Sequence, residues 1–201
     1  MDFRNVFVVG LASMSLGAAV AADVVWDEAV DGELSDDYLA PTALDFAAGS
    51  NTVIFTTDDK GDDVDIFFFN VADGLQLSGI ILDSFVTNGD DPNNLGFMAF
   101  SAGDVLGTNP DTPDPSGLLG YALVFESDSG TDVFDVMSNA GGAQGYDGPL
   151  GPGDYTFWAQ ETSPTSDDWV VTFVLTPVPA PGVLAVAGLA GLACRRRRDR
   201  S

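Results

Sequence analysis

Five aspartates crowd one short stretch: Asp58, Asp59, Asp62, Asp63 and Asp65, in the run Asp-Asp-Lys-Gly-Asp-Asp-Val-Asp. Hard cations such as calcium take about six to eight oxygens, drawn from carboxylates and loop carbonyls. The run is therefore a candidate calcium site. It is not an EF-hand loop, because the twelfth position counted from Asp58 is Phe69, where that loop needs Glu. The plainer reading is an acidic turn in an acidic protein. Asn88-Gly89-Asp90-Asp91 is a weaker second candidate. Beyond calcium, no cofactor is expected.

Other chemistry is narrowly bounded. The chain has no His, which excludes Ser-His-Asp catalysis and histidine metal sites. Its single cysteine, Cys194, lies near the C-terminus and leaves no intramolecular disulfide. No Gly-rich phosphate loop precedes a helical pattern. A glycosidase needs two carboxyls across a cleft, and Glu126 and Glu161, both on expected strands, are the pair to consider. Two solvated edge carboxylates are the better reading, so a non-enzyme is expected. Trp158, Trp169, Tyr121 and Tyr146 are candidates for sugar stacking, although Trp158 within a strand reads more readily as core. Trp26 is placed to cap the domain edge.

The charge narrows the partners. Residues 23–182 hold 29 acidic residues against one base, Lys60, a net charge of −28. Nucleic acid and anionic lipid repel such a body, so neither is expected as a partner. Attraction of cations follows naturally, but dispersal in water is reason enough for the charge.

The elements that position these groups read as short strands. Thr52–Thr57, Val64–Val71, Leu75–Phe85, Leu95–Phe100, Tyr121–Glu126, Asp132–Met137, Tyr155–Gln160 and Trp169–Thr176 are rich in β-branched and aromatic residues. Clusters of Gly, Asp, Asn and Pro separate them. The expected fold is all-β, an antiparallel β-sandwich of jelly-roll type with about eight strands. Val64–Val71 is the expected central strand, with Ile66 and Phe68 on one face, Phe67 and Phe69 on the other, and Asp63 and Asp65 still reaching solvent at its start. Residues 23–48 read as an acidic, partly ordered lead-in, with Pro41–Phe46 a first edge strand, and 49–176 as the sandwich.

Both ends read as addresses. Residues 1–22 have the form of a secretory signal peptide: Arg4, an apolar run from Val6 to Leu16, and a small-residue cleavage site at Ala19, Ala21 and Ala22. At the other end stand Pro179-Ala180-Pro181, the apolar stretch Val183–Cys194, and Arg195, Arg196, Arg197 and Arg198. Twelve apolar residues fall short of the roughly 20 that a permanent span takes, and the arginines would stay on the cytoplasmic side. A short transmembrane helix, held briefly and then cut, is expected.

This tail resembles the PEP-CTERM sorting signal of bacterial exported proteins, with Ala180 where that family usually has Glu. The resemblance implies an exosortase-like membrane processing enzyme and the export machinery as partners, and delivery to the cell surface or an extracellular matrix. Asp63-Val64-Asp65-Ile66-Phe67-Phe68-Phe69-Asn70-Val71 and Gly153-Asp154-Tyr155-Thr156-Phe157-Trp158 resemble the D-x-D-x-F-x-F-x-V and G-x-Y-T-F segments of the bacterial pre-peptidase C-terminal domain. That family implies a β-sandwich, usually an accessory module of secreted enzymes, with calcium bound in some members. The two resemblances together imply a structural or adhesive exported protein. The alternative is a calcium- or glycan-binding accessory module, with extracellular polysaccharide as a partner.

Overall fold

The computed structural model describes residues 22–58, 63–89 and 94–179. Among these, ten strands, two short α-helices and two 3-10 turns follow one another. The first stretch holds β1 (Asp23–Asp27), α1 (Glu28–Asp31), β2 (Thr42–Leu44) and β3 (Gly49–Asp58). The second holds β4 (Val64–Val71) and β5 (Leu75–Thr87). The third holds β6 (Gly96–Ala102), β7 (Gly120–Val124), β8 (Thr131–Asp132), α2 (Phe134–Ser138), β9 (Gly153–Glu161) and β10 (Ser166–Pro177). They form two five-stranded sheets, ordered β1-β3-β10-β5-β8 and β2-β4-β9-β6-β7.

Period-2 alternation builds the core between the sheets. Val53 and Phe55 of β3, Trp169, Val171, Phe173 and Leu175 of β10, Phe67, Phe69 and Val71 of β4, and Tyr155, Phe157 and Ala159 of β9 all face inward and are buried. Phe67, Phe157 and Phe173 meet at its centre. Their ring centroids lie 5.1, 5.6 and 5.2 Å apart, and both contacts to Phe173 are edge-on. Each such pair adds about 0.5–1.5 kcal/mol beyond its area burial. On the outer face of the second sheet, Val64, Ile66, Ala99 and Trp158 pack with Leu106 and Leu118 of the 103–119 loop in a smaller cluster. This explains why β4 is apolar on both faces.

The fold is mostly β, and four expectations are corrected. The sheets are mixed rather than antiparallel, because β1 runs parallel to β3 and β2 parallel to β4. Both parallel strands come from the lead-in, which is ordered: Trp26 Nε1 donates to the Gly32 carbonyl (3.1 Å), and the Asp27 carboxylate caps α1 through the Ala29 N–H (3.1 Å). The centre of the second sheet is β9, since β4 has only the three-residue β2 beyond it. Asp132–Met137 is not one strand. After β8 the chain turns into α2, which buries Phe134 and Met137 at a spacing of three, on one helical face. Asp132 Oδ1 accepts the Phe134 N–H (3.0 Å) and starts that turn.

Among the described residues no helix is long and apolar enough to cross a membrane. The expected span Val183–Cys194, with Ala180, Pro181 and Arg195 to Arg198, lies outside the described residues, as do Ala19 and Ala21. Ala22 and Pro179 are described and exposed.

Candidate functional site

The expected aspartate cluster is only partly what the fold assembles. Asp58 is exposed at the end of β3, Asp63 is half-buried, and Asp59 and Asp62 lie outside the described residues. Asp65 was expected to reach solvent and does not; it is fully buried. It occupies the inward register of Phe67 and Phe69, and the lead-in closes over the strand, with the Ile66 N–H donating to the Ser35 carbonyl (2.9 Å).

Asp65 meets two acids that the sequence did not point to. Carboxylate oxygens of Glu28, Glu33 and Asp65 lie within 4.8 Å of one another. Glu28 is held from both sides: Oε1 accepts the Leu34 N–H (3.1 Å) and Oε2 the Thr56 N–H (2.7 Å). Each oxygen keeps a second lone pair. No amide, hydroxyl or N–H donates to either Asp65 oxygen, whose hydrogen-bond contact is carboxyl to carboxyl with Glu28. All seven Lys and Arg residues lie outside the described segments, so no cationic side chain faces this cluster among the described residues.

The electrostatics follow. Burial, then the charges of Glu28 and Asp63, push the Asp65 carboxyl up to about 10. Burial, then Glu33 and Asp58, push Asp63 up to about 6. Burial and Glu28 also raise Glu33. Keeping an ordinary carboxyl protonated at pH 7 costs about 4 kcal/mol, at about 1.4 kcal/mol per pH unit. A bound hard cation removes that cost, and the donor set is all oxygen, as such ions require.

A second buried carboxyl pair sits between β9 and β10. Glu161 and Asp167 are both fully buried, which overturns the expectation of a solvated edge for Glu161. The Asn94 Nδ2 reaches Glu161 Oε2 (3.1 Å), Asp167 Oδ1 (3.1 Å), Thr87 Oγ1 (2.7 Å) and Thr165 Oγ1 (3.0 Å). Burial alone would raise Glu161, but hydrogen bonds from Asp167, Asn94 and the Ser163 and Thr162 N–H groups outweigh it and hold it low. Burial, then Glu161, push Asp167 up to about 8. The pair thus shares one proton, carried by Asp167. Glu126 stands on an exposed 3-10 turn, not on a strand as expected, and accepts the Thr87 N–H (3.0 Å).

The aromatics divide. Trp169 is wholly core, stacked on Phe55 at 5.7 Å and donating to Thr57 Oγ1 (2.9 Å), so it is no sugar platform. Tyr146 is half-buried and donates to the Phe134 carbonyl. Trp158 and Tyr121 line one cleft on the outer face of the second sheet.

Compared with known proteins, the chain matches no family model, no curated protein and no solved structure.

Proposed function

We propose that this chain is an exported, non-enzymatic β-sandwich protein of jelly-roll type, with a structural or adhesive role at the cell surface or in an extracellular matrix, and that calcium completes its acidic end. The signal peptide at residues 1–22 and the C-terminal tail direct it there, through the export machinery and an exosortase-like enzyme acting near Pro179-Ala180-Pro181. Support for export comes from the order of the sequence features at the two ends.

The cation reading is carried by one observation: Asp65 is buried without a donor, beside Glu28 and Glu33, with no cationic side chain among the described residues. Glu28 and Glu33 come from the lead-in and Asp65 from β4, so an ion here staples the first residues of the exported body to the sandwich. Calcium fits better than magnesium, because three carboxylates drawn from two segments of the chain make a flexible cage rather than a rigid octahedron.

Thermal unfolding in EDTA and in millimolar calcium tests this. Saturation to about 100 Kd adds about 2.7 kcal/mol, which raises Tm by about 5–10 °C in a domain of this size. Asp65→Asn is expected to raise Tm in EDTA, because it removes the buried carboxyl, and to abolish the calcium shift. A wild-type Tm indifferent to calcium overturns the cation reading. Export and sorting are tested separately by the intact mass of protein from the surface and medium fractions of the host. Loss of residues 1–21 or 1–22 and an end near Pro181 is expected; a full-length C-terminus found only in membranes sinks the processing reading.

A further inference from the structure

The cleft on the outer face of the second sheet arises from one small residue between large ones. In register, Ala99 of β6 lies between Trp158 of β9 and Tyr121 of β7, so two rings flank a side chain of one carbon. Phe97, two residues along β6 on the same face, stacks against Tyr121 (5.9 Å, 28°) and tilts against Trp158 (4.6 Å, 60°). The Tyr121 hydroxyl donates to the Gly141 carbonyl (2.9 Å) and fixes that ring. Pro113, Pro115 and Leu118 form the opposite wall, and Gln160 completes the lining of a cleft of about 300 Å³. The wall is pinned. A Cβ on Gly107 or on Gly117 would lie 2.1 Å from the other's carbonyl oxygen, and Thr108 Oγ1 accepts the Asp114 N–H (2.7 Å).

Three properties define what fits. The volume sits at the lower end of small-molecule sites, about 300–1,000 Å³, which suits a ring or two rather than a long segment. No lining residue is charged, in a body of net charge −28, so the cleft is neutral while its surroundings repel anions. Aromatic faces with one amide beside them match a ligand that is apolar on its face and hydroxylated on its edge. The indole Nε1 of Trp158, among the lining residues, is buried with no acceptor.

We propose that this cleft binds a neutral sugar ring, a unit of an uncharged polysaccharide, stacked on Phe97 and Tyr121 with a hydroxyl at the Gln160 amide. The proposal does not depend on the cation, which belongs to a different set of residues.

Calorimetry on the full chain tests it, in calcium and again in EDTA. The neutral probes are hexasaccharides of β-1,4-glucose, β-1,4-N-acetylglucosamine and α-1,4-glucose; polygalacturonate and a polyproline peptide are the controls. At least one neutral probe is expected to bind in both buffers. Tyr121→Ala and Phe97→Ala are expected to weaken it about tenfold, and Gln160→Ala by less. A cooperative thermal transition in EDTA at the wild-type Tm shows that a variant is folded. The proposal is overturned if no neutral probe binds at millimolar concentration, if only a control binds, or if folded Tyr121→Ala binds as wild type. Binding lost in EDTA alone would mean that the cation, not the cleft, holds the sugar, and would also overturn it.

Discussion

Asp65, Asp63 and Asp167 share a physical predicament: each holds a proton in the folded chain at a pH where the unfolded chain has released it. Their folded values of about 10, 6 and 8 stand above the ordinary 3.8. Between these limits the folded state binds more protons than the unfolded state, so stability falls as pH rises. In EDTA the urea midpoint is therefore expected to drop steadily from pH 4.5 to pH 8. Glu161 works the other way: its depressed value gives stability above the ordinary carboxylate range that is lost as pH falls through the folded value, below this window. Saturating calcium should remove the Asp65 share of the slope, and Asp167→Asn its own share. An EDTA profile that rises over this range would show that these carboxyls are ionised in the fold.

At the scale of elements, the lead-in matters most. β1 pairs with β3, and Glu28 binds the Thr56 N–H of that strand, so one side chain tacks the segment to the sheet beside the parallel ladder. Glu28→Gln can accept through only one of its two side-chain atoms and leaves a backbone N–H without its carboxylate. A cost of about 1–3 kcal/mol is expected, with faster amide exchange in β1 and unchanged exchange in β10; uniform exchange across both strands would contradict a local tack. A second element contact is equally specific. A Cβ on Gly96 would lie 2.3 Å from Trp169 and 2.7 Å from Phe85. Gly96→Ala is therefore expected to destabilise by about 1–3 kcal/mol through overpacking, read as a lower urea midpoint. An unchanged midpoint would mean that β6 can retreat from the Trp169 ring.

For the whole molecule, the imbalance of charge is the organising fact: residues 23–182 hold 29 acids against one base, Lys60. Buried carboxyls in most proteins meet an Arg or Lys; here they meet one another, amides and backbone N–H groups. Such a body tolerates its burial through shared protons or through ions taken from its surroundings. A cation-supplied medium would relieve that charge, in keeping with the proposed export. The buried acids Asp65, Glu161 and Asp167 lie at strand ends, whereas the residues lining the aromatic cleft carry no charge. The two proposed recognition chemistries are thus kept apart on one scaffold.

Most of the strands were legible in the sequence, because alternation and turn clusters are local signals. Seven of the eight expected strands overlap β3, β4, β5, β6, β7, β9 and β10. The two faces of Val64–Val71 and of Tyr155–Trp158 also follow from period two alone. Asp132–Met137 was misread because Phe134 and Met137 suit either a strand or a single helical turn, and packing chose the turn. Of the lead-in strands, β2 was expected as an edge strand within Pro41–Phe46, whereas β1 had no period to betray it; both pair in parallel because β3 and β4 offer them edges. The candidate cation site was half visible, as an acidic run that includes Asp65. Its other two acids lie more than 30 residues earlier, and only the closure of the lead-in over β4 brings Glu28 and Glu33 within 4.8 Å. Composition, charge and the order of the terminal segments determine what this chain can attract and where its ends direct it. Which carboxylates are stripped of water, and which rings stay open to a ligand, is decided by tertiary packing, because burial is a property of segments meeting and not of any segment alone.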